Sequence, residues 1–126
     1  MSEQIKHECG IALIRLLKPL EYYLFKYGTA FYGLNKLHLL MEKQHNRGHD
    51  GAGIAGIKLD TEPGQRYISH MRSVADTPVN DIFYQMFENI NKIKESYPDR
   101  LRDVEWLKSN IDFTGELFLG HLRYGT

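Results

Sequence analysis

Cys9 is the chain's only cysteine and stands in the phrase His7-Glu8-Cys9-Gly10-Ile11-Ala12. A single thiol closes no internal disulfide. Were Met1–Glu8 removed, the thiol and a free α-amino group would share one residue. The amine's ordinary pKa of about 7.7–8.0 makes it a base beside a nucleophile, the self-activating arrangement of N-terminal nucleophile enzymes. It takes the thiol proton directly or through a water, so no distant histidine is required. The opposing reading is a small buried hydrophobe at a strand start, the ordinary state of a free cysteine. On chemistry alone burial is favoured, because burial is common for free cysteine, and a thiol of pKa about 8.5 is only a few per cent thiolate near neutral pH.

Two further blocks carry polar groups in suggestive order. Gln44-His45-Asn46-Arg47-Gly48-His49-Asp50-Gly51-Ala52-Gly53 reads as a polar loop between helix and strand, with glycines supplying unusual backbone angles. Its functional reading is a glycine-hinged loop that fixes Arg47 and Asp50 near the start of the first strand. His45 and His49, four apart with Asp50 adjacent, permit a metal reading. Gly48 between them weakens a helical site, no cysteine is near for a structural zinc, and no supporting shell is identifiable. The third block, Gly120-His121-Leu122-Arg123-Tyr124-Gly125-Thr126, is either a strand end with a surface arginine or an anion clamp. In the clamp, Arg123 offers a planar fork for a carboxylate, Thr126 a hydroxyl donor and Tyr124 a wall.

The elements that must position these blocks follow from periodicity. Cys9–Leu17 is a short apolar run suited to a buried strand, closed by Lys18-Pro19 because proline cannot join a ladder. Tyr22 to Gly33 is an aromatic-rich connection with partial helical character. Its rings resemble a stacking surface for bases, but without a basic patch they are read as cover for a core edge. Leu34, Leu37, His38, Leu40 and Met41 recur at helical spacing through Leu34–Gln44, with Asn46 and Gly48 as a stop. Gly51–Leu59 reads as a second strand whose small residues tolerate close approach. Pro63-Gly64 marks a turn, and Arg66–Met71 alternates as a third strand pairing back as a hairpin. Thr77 is placed as N-cap with Pro78 at the first helical position. The segment Val79 to Lys108 is helical, interrupted by Pro98, with Trp106 anchoring the second helix and the Asp99–Lys108 charges read as a solvated face. Leu117–Leu122 completes the order as a fourth strand, giving mixed α/β rather than a doubly wound fold.

Bulk properties narrow the function classes. Sixteen basic residues balance sixteen acidic ones, so no global field attracts nucleic acid or acidic lipid. Hydrophobic residues at 42% and charged residues at 25% are ordinary for a globular protein, and the length suits one domain. The lone cysteine suits a reducing, cytoplasmic compartment. Met1–Glu8 lacks the apolar core of a secretory signal, and no run approaches the roughly 18 apolar residues of a membrane span. The chain stops at Thr126 directly after a strand-like apolar run, where domains more often end in a polar, frayed tail, and it is therefore read as part of something longer.

In order along the chain, the Cys-Gly-Ile-Ala start, the Arg47-Gly48-x-Asp50-x-Ala-Gly block and the Gly-His-Leu-Arg-Tyr-Gly-Thr strand end together resemble class II glutamine amidotransferases. The combination spans Cys9 to Thr126 and is far more specific than any single block. Tyr124 after the arginine and a short removable leader favour the amidophosphoribosyltransferase branch. The resemblance implies an N-terminal nucleophile hydrolase of α+β class with a four-layer αββα sandwich, incomplete here: residues 1–8 a leader, residues 9–126 the N-terminal portion of the glutaminase domain. It implies that Cys9 attacks the side-chain amide of glutamine, releasing ammonia and leaving a thioester that water hydrolyses. Arg123 with Tyr124 and Thr126 would bind substrate, Arg123 holding the α-carboxylate, while Arg47, Gly48 and Asp50 form the supporting loop.

For the parent enzyme, the resemblance implies a phosphoribosyltransferase domain. There, ammonia displaces pyrophosphate from phosphoribosyl pyrophosphate, with Mg2+, to give phosphoribosylamine for purine synthesis. An iron–sulfur cluster occurs in a subset of relatives, and a homo-oligomer is expected. The family's oxyanion donors lie downstream of the Arg-Tyr strand, and each lost donor costs roughly 10²–10³ in rate, so the chain alone is expected to be inactive. The block departs from the commonest family form in carrying Asn46 between His45 and Arg47, and the stretches Lys18–Tyr32 and Val79–Phe113 are longer than in compact members. The rival readings are the glutaminase domain of an asparagine, glutamate or glucosamine-phosphate synthesising branch, and a non-enzymatic α/β interaction module with a buried cysteine.

Overall fold

A computed structural model describes residues 10–44 and 50–123. Four strands, β1 (Gly10–Arg15), β2 (Gly51–Ile57), β3 (Ile68–Ser73) and β4 (Leu117–Arg123), form one antiparallel sheet in the order β1-β4-β2-β3. The last strand thus lies between the first two, and β2 and β3 are the expected hairpin. Alternate residues face opposite sides of a strand, so the registers define two faces. Ala12, Gly120, Ile54 and Met71 form one cross-strand row, and Leu122 and Ala52 continue that face.

One layer of helices covers that face. α2 (Tyr32–Glu42) lies against β1 and β4, and α3 (Pro78–Ser96) against β2 and β3. Leu34, Leu37 and Met41 recur at helical spacing and are fully buried, as are Ile82, Phe118 and Leu122. Removing such side chains from water is the main stabilising contribution, about 1.5–3 kcal/mol each. Gly120 lets α2 approach closely, since a Cβ there would stand 2.6 Å from Met41 Sδ. A Cβ there would force the Met41 and Leu37 side-chain ends to shift.

The aromatic connection contains a helix of its own, α1 (Leu20–Tyr27), ended by Gly28 at φ 80, which donates to the Leu24 carbonyl. Leu20, Tyr23 and Leu24 bury against Leu16 and Val104 of α4 (Val104–Asn110) in a second small core. Pro98 does interrupt the long helical stretch, and Pro98–Arg100 form a 3-10 turn. Asp103 caps α4 by accepting the Trp106 N–H at 3.1 Å. Thr77 occupies the N-cap position of α3 without a side-chain capping bond. The described residues are therefore mixed α/β, a four-stranded antiparallel sheet with four α-helices.

The second face of the sheet has no helical cover among the described residues. Ile11 (68% exposed), Leu13 (61%), Leu119 and Ile68 stand on it. Between them lie Arg15, His70, Arg72, His121 and Arg123, also exposed, and no strand residue of this face is acidic.

Candidate active site at the β1–β4 end of the sheet

Antiparallel pairing decides which sequence blocks meet. Gly10, the residue after Cys9, pairs with Leu122, and Arg123 pairs with Gly51. The Asp50 N–H donates to the Arg123 carbonyl at 3.0 Å. The start of β1, the start of β2 and the end of β4 therefore share one end of the sheet, with Arg123 on the open face.

Gln44, the first residue of the loop block, approaches the same end from the helical side. Gln44, just beyond α2, lays its side-chain amide over Gly10, where a Cβ would collide with Oε1. Its Nε2 reaches the Ile11 carbonyl at 3.4 Å, a long and weak bond. Gln44 is the site-adjacent residue that sequence reasoning passed over. Its position at the head of the Gln44–Gly53 block, opposite a glycine that follows the cysteine, was the available signal.

Of the sequence-derived site residues, the structure brings Arg123 and Asp50 together through that backbone bond. Arg123 makes no ion pair among the described residues and projects a guanidinium from the uncovered face, where its fork is available to a carboxylate. Cys9, Arg47, Gly48, Tyr124 and Thr126 lie outside the described residues, as do His45 and His49 of the metal reading. Among the described residues, no three His, Cys, Asp or Glu side chains gather into a group that could hold a metal. One cysteine cannot supply the thiolates of an iron–sulfur cluster, so this chain's residues do not fit that group.

The other end of the sheet carries a different kind of polar cluster. Glu116 accepts Lys108 Nζ at 2.6 Å and the Leu59 N–H at 2.9 Å. Lys108 also donates to the Leu59 carbonyl, and Lys58 donates to the Lys108 carbonyl. Burial pushes the Lys58 amine below the usual lysine range, partly offset by the Asp112 carboxylate, while Lys108 and Arg66 add to the depression. Lys108 thus leaves the solvated face expected of the Asp99–Lys108 charges and turns inward. Every polar partner here is a backbone group or a countercharge, so the cluster ties β2 and β4 to α4.

A groove of about 390 Å³ lies on the helical side, floored by Met71, Met86, Ile90, Ile93, Ile111 and Phe113. It includes neither Arg123 nor Gly10. No helix among the described residues is long and apolar enough to cross a membrane. No family model, curated protein or solved structure matches the chain.

Proposed function

We propose that the chain is the N-terminal part of a class II glutamine amidotransferase domain, of the amidophosphoribosyltransferase branch, with Cys9 as its nucleophile. The observation that carries this reading is the meeting of three blocks at one sheet end. The strand that follows Cys9, the strand that follows the Arg47-Gly48-x-Asp50 loop and the strand that ends in Arg123 adjoin through Gly10–Leu122 and Gly51–Arg123 pairing. A nucleophile, a carboxylate clamp and a supporting loop have to converge in this way to act on one small substrate.

The uncovered apolar face supports the finer fold reading. A sheet buried on one side with Ile11, Leu13 and Leu119 exposed on the other suits one half of a sheet-on-sheet sandwich. In the proposed αββα fold, the α-helices of this chain form one outer layer and its sheet one inner layer.

The chemistry proceeds from hydrolysis of the Glu8–Cys9 peptide bond, which frees the Cys9 α-amine. That amine accepts the thiol proton, and the thiolate attacks the glutamine side-chain carbonyl carbon. The carbon–nitrogen bond breaks as the amine returns its proton to the leaving group. Ammonia departs and a thioester remains on Cys9, which water hydrolyses to glutamate. Arg123 binds the glutamine α-carboxylate through its guanidinium fork, with Tyr124 and Thr126 beside it, and Arg47, Gly48 and Asp50 form the supporting loop. In the complete enzyme, ammonia then displaces pyrophosphate from phosphoribosyl pyrophosphate in a separate Mg2+-dependent domain.

The test is mass spectrometry of the complete enzyme. We expect the mature protein to begin at Cys9 and to gain one equivalent of an electrophilic glutamine analogue on that residue. Retention of residues 1–8 in enzyme that uses glutamine, or labelling elsewhere, would overturn the reading.

A further inference from the structure

α1 brings cations and rings together in a way its sequence does not announce. Lys18 Nζ lies 5.3 Å from the centre of the Tyr22 ring, and Lys26 Nζ lies 5.6 Å from Tyr22 and 5.5 Å from Tyr27. The Tyr27 and Tyr32 rings stack at 4.4 Å, and Lys36 Nζ lies 5.4 Å from Tyr32. These contacts link Lys18, Tyr22, Lys26, Tyr27, Tyr32 and Lys36 into one continuous surface of ammonium and phenol groups. Lys26 also donates to the Tyr22 hydroxyl at 3.2 Å. That bond, with the two tyrosines' charge interactions, raises its ammonium above the usual lysine range.

An apolar anchor completes the surface. Phe25 is 88% exposed and Leu17 is 83% exposed, and Phe25 lies one helical turn from Tyr22. From Arg15 to Lys36, four cationic residues face one acidic one, Glu21, in a chain whose total charge is zero. Tyrosine side chains offer large contact area at low conformational cost, and a protruding aromatic with a polar rim is the composition of an interface hot spot.

We propose that this surface docks a protein partner through an extended segment that alternates carboxylates with apolar side chains, the apolar ones packing on Phe25. Carboxylates complement the three ammonium groups and accept from the tyrosine hydroxyls. Two other anionic partners fit less well. Nucleic acid needs open ring faces on which bases stack, whereas Tyr23, Tyr27 and Tyr32 stack on one another and the Tyr22 ring carries ammonium groups. A bilayer would meet only Phe25 and Leu17 as exposed aliphatic or phenylalanine anchors, with Glu21 one turn from Phe25.

The full chain is titrated, at low salt and by fluorescence anisotropy, with three labelled probes. These are a short peptide alternating glutamate and leucine, an oligothymidylate of similar length, and phosphatidylcholine vesicles containing phosphatidylserine. The expected result is saturable binding of the peptide, weakened at least about tenfold by Phe25→Ala and by the combined Lys18→Glu, Lys26→Glu and Lys36→Glu substitutions. Circular dichroism melts verify folding. Phe25→Ala removes no buried side chain and carries the test alone if the triple variant melts early. Absence of peptide binding, peptide binding indifferent to Phe25→Ala, or tighter binding of the oligonucleotide or the vesicles would overturn the proposal.

Discussion

Glu116 offers the sharpest test of how the sheet end opposite Arg123 is held. Its carboxylate pairs with Lys108 at 2.6 Å, and the two side chains are only 7% and 13% exposed. It also accepts the Leu59 N–H. Water screens such a pair poorly, and removing one partner leaves the other charge buried without compensation, at a cost of about 3–5 kcal/mol. Glu116→Gln keeps an acceptor for the Leu59 N–H, so its loss reports the charge and falls near the lower end, about 3 kcal/mol. Against a total stability of about 5–15 kcal/mol for a domain, that is a large fraction. Adding Lys108→Met to Glu116→Gln removes the orphaned ammonium, and the double variant should return to within about 1–2 kcal/mol of the parent. Urea unfolding followed by circular dichroism, at constant dependence on denaturant, reads all four proteins of the cycle. A Glu116→Gln loss below about 1 kcal/mol, or a double variant no more stable than Glu116→Gln, would show that the pair is solvated and the reasoning wrong.

Other consequences are open to measurement. Ser73 donates to Asp81 at 2.6 Å and Gln85 donates at 3.1 Å, and these bonds, Ser73's first, hold the Asp81 carboxyl below the usual aspartate range. A depressed folded pKa stabilises above the unfolded value and loses that contribution as pH falls through the folded one. The stability gap between parent and Ser73→Ala should therefore narrow below about pH 4, and a gap constant across that window contradicts the assignment. Under the proposed function, Arg123→Lys in the complete enzyme should lower kcat/KM for glutamine about 10–100-fold, the value of a lost charge-assisted fork, while ammonia-dependent turnover stays intact; an unchanged value removes Arg123 from the carboxylate site. Lysine at both Leu13 and Leu119 should reduce self-association of the 126-residue chain in sedimentation experiments, because both side chains stand on the uncovered face. Equal association by parent and variant locates the sticky surface elsewhere.

Much of the fold was legible because local pattern and packing agree. Leu34, Leu37 and Met41 repeat at the helical period and all reach zero exposure. Pro63-Gly64 correctly separates the strands of a hairpin, and Pro98 correctly divides two helices. The placement of β4 between β1 and β2 was not legible, since pairing across some hundred residues leaves no local periodicity. α1 was blurred because its tyrosines lie on both its buried and exposed sides, erasing the amphipathic contrast that periodicity depends on. The same mixture hid the basic patch. Lys18, Lys26 and Lys36 are spread over nineteen sequence positions, and only the packing of α1 beside α2 gathers them around the rings. Lys108 misled for a related reason. A charge run on a short helix resembles a wet face, and the carboxylate that draws Lys108 inward sits on the next segment. Cys9, Arg47 and Arg123 were singled out from the sequence by residue type. That the strands following Cys9 and Arg47 adjoin the strand ending in Arg123 became visible only from the register of β1, β4 and β2.

In the proposed function, Cys9 is the nucleophile that frees ammonia from glutamine. The most direct measurement is phosphoribosylamine synthesis by the complete Cys9→Ser enzyme, with glutamine and with ammonium salt as alternative nitrogen donors. The expected result is that glutamine-dependent synthesis is abolished while ammonia-dependent synthesis persists at the parent rate. Glutamine-dependent synthesis that survives the substitution would contradict it.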